Sequence, residues 1–350
     1  MDYENVTNKT VFEMFVKTKH KISQYDKISV SISGGSDSDV LLDLVWRCDP
    51  DKKCKYVFFF TGLEYPQTLR HLDYLENRYG IKIERLKSKY PIPYSVKHYG
   101  VPFISKDIAG RIAILQNNNF QFEDEPFSEL LEKYPNAKSA LAWWCNQNKG
   151  TSAYCISQQN FLKEFMIENP PSFPISQNCC KYSKKLTIHE YDKQNEIELD
   201  ISGVRKSEGG VRAIAYESCF SEYPKGEADK YRPLFFMTDS DKKYYEKEFN
   251  IVHSELYTDW GMKRTGCVGC PFGTHNLKEH LEMIKEREPK LYKACYGVFG
   301  EAYEYFFKYK EFSKRKLEEE KKYKEIRNQR KRSRKRIDST DDFENKLEQL

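Results

Sequence analysis

The chain has 350 residues, with 58 Lys or Arg against 53 Asp or Glu and ten Cys, and its formal net charge is +5. This length allows one large core or two modest ones, so we expect about two domains. An apolar run near 20 residues and a signal-peptide pattern are both missing, which predicts a cytoplasmic protein without a membrane partner. In such a chain ten cysteines indicate metal or redox chemistry rather than a disulfide framework.

The first predicted elements are a helix, a strand and a second helix. Val11, Met14, Phe15 and Ile22 give the first helix one apolar face. Apolar residues then alternate with serines over residues 28–32, which predicts a strand, and residues 40–45 have helical spacing. The strand therefore passes into a helix through a short glycine-rich loop.

That loop, Ser33-Gly34-Gly35-Ser36-Asp37-Ser38, has the features of a phosphate site. The two glycines permit positive φ and close approach of a ligand, and the N–H groups of the new helix point outward at the positive end of its dipole. Serine hydroxyls add donors, while Asp37 can cap the helix or help hold Mg²⁺ on the phosphates. An ordinary strand-turn-helix with a capping aspartate is the alternative, and the Lys-Ser/Thr ending of a Walker A loop is missing.

The loop resembles the Ser-Gly-Gly-x-Asp-Ser signature of the PP-loop, or ATP pyrophosphatase, superfamily. Members of this superfamily commonly split ATP between its α and β phosphates. The resemblance implies that Ser33, Gly34, Gly35, Ser36, Asp37 and Ser38 bind ATP or an adenylyl sulfate nucleotide.

A second predicted strand, residues 56–60, is continuously apolar, as in a strand buried on both faces of a parallel sheet. It ends at Thr61-Gly62-Leu63-Glu64-Tyr65-Pro66-Gln67-Thr68, where Pro66 opens a helix that continues to Tyr79. Loops at the carboxyl ends of parallel strands are where open α/β sheets bind ligands, although helix-start chemistry alone could explain this segment. Residues 81–86 are a third, less buried strand.

The segment after the second strand is similar to the Thr-Gly-x-x-Phe/Tyr-Pro-Glu-Thr motif of the phosphoadenosine phosphosulfate (PAPS) reductase family, with Gln67 in place of its Glu. The resemblance implies that Thr61, Gly62 and Glu64 contact the nucleotide. Residues from about 90 to 175 then predict a mostly helical insertion, in which Trp143 and Trp144 favour packing over stacking on a base.

Two cysteine pairs follow, Cys179-Cys180 and Cys267-Val268-Gly269-Cys270. Four thiolates can bind either a tetrahedral zinc ion or a [4Fe–4S] cluster, and a directly adjacent pair is awkward for zinc. The pattern resembles the iron–sulfur adenosine phosphosulfate (APS) reductases, which implies that Cys179, Cys180, Cys267 and Cys270 hold a [4Fe–4S] cluster, with Lys184 in the run after the first pair. Spacing predicts buried thiols for the other six cysteines, Cys48, Cys54, Cys145, Cys155, Cys219 and Cys295.

A fourth strand over residues 197–202 runs into Gly203-Val204-Arg205, and Arg212 follows. Two arginines at a strand end suit bidentate capture of phosphate or sulfate oxygens, although surface arginines beside a glycine-rich turn are the alternative. The segment resembles the family's Gly-x-Arg-x-Asp-Glu-Ser-x-x-Arg-Ala motif, and the residues before Cys267 resemble its Leu-Tyr-x-x-Gly-x-x-Arg-x-Gly motif. These resemblances imply nucleotide contacts from Gly203, Arg205 and Arg264, and catalytic roles for Asp37, Lys184, Arg205 and Arg212.

From Lys308 to Arg336 the chain has 15 Lys or Arg and 5 Glu, a local excess of +10. Such a run is either a solvated helix with a frayed tail or a segment that contacts a phosphate backbone. We expect residues 1–307 to form one PP-loop domain, with an iron–sulfur module at about 176–275, and residues 308–350 to form a charged helical tail.

The fold class implied by these motifs is an α/β parallel sheet flanked by helices, of the adenine nucleotide α-hydrolase type. The leading functional hypothesis is a [4Fe–4S] PP-loop enzyme that supports sulfur transfer, with nucleic acid as acceptor, as in DNA phosphorothioation and tRNA thiolation. Its sulfur would come from a cysteine desulfurase or a thiol reductant. One alternative is a strict PAPS or APS reductase, although the only cysteine after Cys270 is Cys295 and the reductases' nucleophilic tail is missing. The other is a regulator that senses nucleotide and cluster without catalysis.

Overall fold

The computed structural model of the chain describes residues 3, 5–148, 155–208, 217–272 and 276–347. It contains two compact units. Residues 1–100, 178–270 and 274–298 form the first, here called the sheet unit, and residues 101–177, 271–273 and 299–350 form the second, here called the helical unit. Arg212 lies outside the described residues.

The sheet unit is built on six strands. They are β1 (Ile28–Ile32), β2 (Cys54–Phe60), β3 (Ile83–Lys87), β4 (Leu199–Ser202), β5 (Phe220–Ser221) and β6 (Asp229–Tyr231). Their order is β3-β2-β1-β4-β6-β5, and all pairs are parallel except β5 with β6 at the edge. The predicted parallel α/β sheet is therefore confirmed.

Helices flank the sheet and form most of the remaining structure. In chain order the α-helices are α1 (Lys9–Ser23), α2 (Ser36–Cys48), α3 (Pro66–Tyr79), α4 (Ile92–Tyr99), α5 (Lys106–Asn117), α6 (Phe127–Lys133), α7 (Lys138–Trp144), α8 (Leu162–Glu168), α9 (Asn178–Cys180), α10 (Leu186–Gln194), α11 (Asp239–Glu248), α12 (Glu255–Thr258), α13 (Leu277–Arg287) and α14 (Pro289–Leu347). A π-helical turn, Lys181–Lys185, joins α9 to α10, and short 3₁₀ turns occur at Pro135–Ala137, Ile156–Gln158 and Lys206–Glu208.

The core of the sheet unit follows from the apolar patterns of its elements. Helix α1 begins after Asn8, whose side chain accepts from Val11 N at 3.0 Å, and it buries the predicted apolar face. The apolar residues of β1 and the helical residues 40–45 of α2 are also buried in this core. Burying about ten such side chains is the dominant stabilising contribution, at roughly 1.5–3 kcal/mol for each.

Two predicted strands begin later than expected. Leu199 pairs with Ile28, the first residue of β1, and the backbone of Glu198 bonds to Lys27 O, one residue before β1 begins, and to Asp229 N. Before β3, Ile81 N donates to Glu76 O at 3.2 Å, across the left-handed Gly80 that ends α3. Ile81 therefore belongs to the helix terminus, and the strand begins at Ile83.

The helical unit has a core of aromatic side chains. Trp143 and Trp144 are buried, and Trp144 Nε1 donates to Glu123 O at 2.9 Å, so the prediction that they pack is confirmed. In the last helix, Tyr309 and Phe312 are buried although they lie beyond residue 307, where the sequence predicts the start of the tail. Phe165 contacts Phe312 with ring centroids 5.5 Å apart. Within the described ranges, no helix has the length and apolar character needed to cross a membrane.

Candidate functional site

Three loops meet where neighbouring parallel strands end. Residues 33–35 follow β1, residues 61–65 follow β2, and residues 203–205 follow β4. Along the sheet, β2 lies on one side of β1 and β4 on the other. The carboxyl ends of β1 and β4 thus form a topological switch point, where open α/β sheets bind ligands.

The loop after β1 has the backbone that the phosphate hypothesis requires. Gly34 has φ of +67°, and a Cβ placed there would lie 2.8 Å from Thr68 Cγ2, so only glycine fits. Gly35 is the N-cap of α2 and has no capping side chain. The N–H of Ser36, the first residue of α2, donates to Tyr257 Oη at 3.1 Å. The N–H groups of Asp37 and Ser38 receive no cap from Gly35 and can bind an anion.

Asp37, in the first turn of α2, is held by two cations. Its Oδ1 accepts from Arg205 Nε at 2.9 Å and lies 2.7 Å from Lys242 Nζ. Arg205 also donates to Asp239 Oδ1 at 2.8 Å, and Lys242 donates to Ser36 Oγ at 2.7 Å. Burial alone would lower the pKa of Arg205, but the hydrogen bond to Asp239 and the charge of Asp37 raise it. The guanidinium is therefore charged beside the loop.

Gly203 allows β4 to approach this loop. A Cβ at position 203 would lie 3.2 Å from the backbone oxygen of Asp37. This close approach places Arg205, two residues later, within reach of the Asp37 carboxylate. The structure thus brings the predicted residues Gly203, Arg205 and Asp37 together.

A second carboxylate of α2, Asp39, lies buried behind the loop between two histidines. His71 Nε2 is 2.9 Å from Asp39 Oδ1, and His253 Nδ1 is 2.8 Å from Asp39 Oδ2. His253 Nε2 also lies 2.9 Å from Glu246 Oε1. Burial would lower the pKa of His253, but the hydrogen bonds to Asp39 and Glu246 outweigh it and raise the pKa to about 9. His253 is therefore a cation at neutral pH.

In the loop after β2, the Glu64 side chain folds back on the backbone. Its carboxylate accepts from Thr61 N at 2.6 Å and from Gly62 N at 3.0 Å, and it also contacts the Thr61 hydroxyl. Gly62 has φ of +87°, which this tight turn requires. Glu64 therefore shapes the loop, and its predicted contact with a nucleotide stays a prediction.

The four predicted ligand cysteines converge near this second loop. Val268 N donates to Leu63 O at 3.1 Å, and Thr61 Oγ1 lies 3.9 Å from Cys267 Sγ. Cys179 and Cys180 are hydrogen-bonded, and the charges of Cys270 and Cys267 help raise the pKa of Cys179. All four thiols are free of disulfides, Cys179 is buried and the other three are half-buried.

Lys184 lies beside these thiols. The charges of Cys267 first, and then of Cys180 and Cys270, raise the pKa of Lys184 against the effect of burial. The hydrogen bond to Cys180 and burial raise the pKa of Cys179 far above its ordinary value. A nearby ammonium offsets the negative charge that thiolate ligands bring to a buried site.

The donor set fits a [4Fe–4S] cluster in number and kind, since such clusters are held by four cysteine thiolates. A single zinc ion would need all four sulfurs within about 2.3 Å of one point. In the part of the chain that the structure describes, no group of three or more His, Cys, Asp or Glu side chains is arranged to hold one metal ion. This arrangement favours neither zinc nor a cluster, and the [4Fe–4S] cluster stays a prediction.

The motif before Cys267 links the thiols to the phosphate loop, a connection that the sequence analysis missed. Ser36 N donates to Tyr257 Oη at 3.1 Å, and Tyr257 Oη lies 2.9 Å from Thr265 Oγ1. Arg264, predicted to contact the nucleotide, is exposed next to Thr265. Lys242 was also missed, because no motif includes it; its only sequence signal is its position in the first turns of α11.

The remaining cysteines only partly follow the prediction of buried thiols. Cys48, Cys54 and Cys295 are buried. The prediction is wrong for Cys145, Cys155 and Cys219, which are half-buried because they lie in irregular segments or at their ends. Burial raises the pKa of Cys295 to about 12, and its side chain is 0% exposed.

Comparison with known proteins supports part of this interpretation. The model of the phosphoadenosine phosphosulfate reductase domain matches residues 27–105. That span includes the phosphate loop and the segment after β2, so the predicted family recognition is confirmed there. Both cysteine pairs lie outside the matched span.

Other similarities cover more of the chain but are less informative. An uncharacterized protein of Methanocaldococcus jannaschii is 42% identical over 281 residues, which are 79% of this chain and 43% of that protein. The chain thus spans less than half the length of this relative. A phosphoadenylyl-sulfate reductase of Candida auris, solved with phosphate, has a TM-score of 0.40 and 14% identity, covering 76% of this chain and 96% of its own. The U34-tRNA thiolase NcsA of Methanococcus maripaludis, solved with its [4Fe-4S] cluster, has a TM-score of 0.31 and 11% identity, covering 86% and 80%.

Proposed function

We propose that the protein is a PP-loop enzyme that activates an acceptor oxygen with ATP and transfers sulfur to it, with a [4Fe–4S] cluster on its four thiols. Nucleic acid is the proposed acceptor. The observation that carries the proposal is that the phosphate loop and the loop after β2 are both linked by hydrogen bonds to the segment that contains Cys267. One link runs from Ser36 through Tyr257 to Thr265, two residues before Cys267, and the other joins Leu63 to Val268.

Each part of the loop has a role in nucleotide activation. The N–H groups at the start of α2 would bind the phosphates, and Gly34 and Gly35 let them approach the backbone. Arg205 and Lys242 would stabilise the charge that develops on the leaving pyrophosphate. Asp37 orients both cations and is a candidate ligand for Mg²⁺ on the nucleotide.

The proposed reaction balances without an external oxidant or reductant. The acceptor oxygen attacks the α-phosphorus of ATP, and the bond to the β-phosphate breaks, with pyrophosphate taking the electron pair. A donor at the oxidation level of sulfide then attacks the activated carbon or phosphorus. The bond to the adenylylated oxygen breaks, AMP leaves with its electron pair, and the proton on sulfur goes to solvent.

The thiol site would be built by residues of this chain. Cys179, Cys180, Cys267 and Cys270 would hold the cluster, which when bound supplies an iron–sulfur redox centre. Lys184 would offset its negative charge, and the Thr61 hydroxyl lies within reach of Cys267. The loop after β2 would thereby connect nucleotide and sulfur chemistry.

A strict phosphosulfate reductase is disfavoured by Cys295. A nucleophilic cysteine must reach its substrate as a thiolate. Cys295 is fully buried in α14, and its pKa is raised to about 12. We expect Cys295→Ser to leave turnover unchanged, whereas loss of thiol-dependent sulfite release from APS or PAPS in this variant would restore the reductase alternative.

The test is an anaerobic purification followed by activity measurements. We expect brown protein with about four irons and four sulfides per chain. Cys267→Ser should lose the colour, while Cys219→Ser, a half-buried thiol outside the four, should keep it. With ATP, sulfide and short RNA or DNA, the protein should release equal amounts of pyrophosphate and AMP and incorporate labelled sulfur. Stoichiometric zinc with no visible absorbance, or ATP binding without pyrophosphate release across these acceptors, would refute the proposal; the latter result would favour the regulator.

A further inference from the structure

Aromatic side chains from two segments of the sheet unit contact one another at the surface. Helix α4 and the residues before it contribute Tyr90, Tyr94, His98 and Tyr99, and the π-helical turn contributes Tyr182. The rings of Tyr99 and Tyr182 are stacked with centroids 4.0 Å apart, and Tyr94 and His98 are also 4.0 Å apart. Tyr90 lies between them, 5.7 Å from Tyr94 and 6.1 Å from Tyr182. We call these five side chains the aromatic surface.

The aromatic surface is partly open to solvent, although burying large rings usually stabilises a folded protein. Helix α4 buries Ile92, Ser95 and Val96, which leaves Tyr94 and His98 on its outer face. Tyr94 is 43% exposed, and the other tyrosines are half-buried. The rings are therefore held in place by one another while part of their faces stays accessible.

The two segments that carry these rings have formal charges of one sign. Residues 86–100 and 178–189 contain no Asp or Glu. Lys89, Lys97, Lys181 and Lys185 are exposed around the rings. Lys89 Nζ lies 5.4 Å from the ring centre of Tyr90, and Lys181 Nζ lies 5.4 Å from that of Tyr182. The local potential is positive, which favours a polyanion.

The π-helical turn connects this surface to the thiols. Leu186 N donates to Lys181 O, five residues earlier, so the turn holds one more residue than an α-helical turn. Tyr182 stacks on Tyr99 and lies two residues after Cys180, and the π-helical turn begins directly where α9 ends at Cys180. A ligand bound on the aromatic surface would thus lie next to the candidate sulfur chemistry.

Accessible rings surrounded by lysines match the chemistry of a single-stranded nucleic acid. Unpaired bases stack on aromatic side chains, each worth roughly 1–3 kcal/mol, while cations track the phosphates. In a duplex the base faces are already stacked on one another and cannot meet these rings. An acidic protein would satisfy the lysines but would leave the ring faces without flat partners.

We propose that the aromatic surface binds single-stranded nucleic acid and presents it to the thiol site. This inference rests on the proposed function, because it names the surface that would hold the acceptor. RNA and DNA share the chemistry that the surface recognises, and the experiment distinguishes them.

The experiment uses the full-length chain and 12-nucleotide RNA and DNA strands that carry 2-aminopurine, whose fluorescence is quenched by stacking. We expect both quenching and anisotropy to report binding of at least one of the single strands, with a matched duplex binding more weakly. Tyr94→Ala should weaken binding at least fivefold and reduce the quenching, because it removes one stacking partner. Tyr223→Ala is the matched control, since Tyr223 lies in the same unit and is 42% exposed.

Variants of the lysines test the electrostatic part. Replacing Lys97 with alanine should weaken the binding of RNA and DNA alike. It should also lower the slope of log affinity against log salt by roughly 0.7 if Lys97 neutralises one phosphate. Tyr94→Phe should bind like the wild type, because the ring face is kept.

The outcomes separate this inference from the proposed function. Three results would overturn the proposed role of the aromatic surface, whatever the result for ATP. They are equal binding by Tyr94→Ala and Tyr223→Ala, a preference for duplex, and no binding by the wild type. Conversely, a wild type that stacks the oligonucleotide but does not cleave ATP to AMP and pyrophosphate would overturn the proposed function and leave the surface supported. Nucleotide binding without nucleic acid should be the same in Tyr94→Ala and the wild type.

Discussion

Replacing His253 with asparagine tests the charge network behind the phosphate loop. His253 bridges Asp39 of α2 and Glu246 of α11, and its side chain is only 18% exposed. Its pKa rises from the ordinary 6.5 to about 9, since the two carboxylates outweigh the effect of burial. A difference of about 2.5 between the folded and unfolded pKa corresponds to about 3 kcal/mol of folding free energy.

The direction of the pH dependence follows from the raised pKa. The protonated form is favoured in the folded state, so the stabilisation is fully present below pH 6.5 and is lost as the pH rises through about 9. The wild type should therefore exceed His253→Asn in unfolding free energy by about 3 kcal/mol at low pH, beyond any constant packing difference. That excess should shrink across the window from 6.5 to 9.

Two measurements check this prediction. Urea unfolding followed by intrinsic fluorescence gives the free energies, because Trp46 packs against the core of the sheet unit. A histidine-ring NMR titration gives the pKa directly, with the His253 signal identified by its loss in the variant. His20→Asn is the control, because His20 is exposed on α1. A His253 pKa near 6.5, or a stability difference that stays constant through pH 9, would refute the reasoning.

The remaining predictions concern the loop, the tail and a buried amide. Gly35→Val should abolish ATP binding in calorimetry without unfolding the protein, since its side chain would fill the space at the start of α2; Gly297→Ala, whose Cβ meets nothing within 4 Å, should bind normally. Truncation after Leu317 keeps the packed part of α14 and removes ten of the 15 basic residues of the tail. It should reduce the slope of log affinity for nucleic acid against log salt by roughly 0.7–0.9 for each lost phosphate contact. An unchanged slope would show that the tail is a solvated helix that does not contact nucleic acid. Gln67→Glu should lower the unfolding free energy by about 2 kcal/mol, and adding Glu288→Gln should restore it; equal stability of both variants and the wild type would count against the pairing.

Local chemistry explains why the elements of the loop could be predicted. Gly34 needs φ of +67° and has Thr68 against it, a constraint imposed within one strand-loop-helix unit and its neighbour. The alternation in β1 and the helical spacing in α2 are likewise local patterns. Strand ends depended on partners elsewhere, as with Leu199, which can begin β4 only where β1 begins.

Contacts between distant residues account for what the sequence could not reveal. Asp39 meets His71 and His253, which lie 32 and 214 residues away in the chain. Lys242 reaches Ser36 across 206 residues. A lysine in a polar helix has no property that distinguishes a loop-binding side chain from a solvated one, so only the fold reveals its role.

Gln67 shows how such a distant contact can explain a departure from a family motif. The resembled motif has Glu at this position, next to the proline that opens α3. Here the side chain is 4% exposed, and its Nε2 donates to Glu288 Oε1 at 2.8 Å. Two carboxylates at that distance could not both stay ionised in a buried site, because repulsion and desolvation would force a proton onto one of them. The amide nitrogen of Gln67 supplies the donor that Glu288 needs. Within the described residues, the amide oxygen of Gln67 is left without a hydrogen-bond partner. The substitution is therefore coupled to a residue 221 positions away, and Glu288 decides whether Gln or Glu is tolerated beside the phosphate loop.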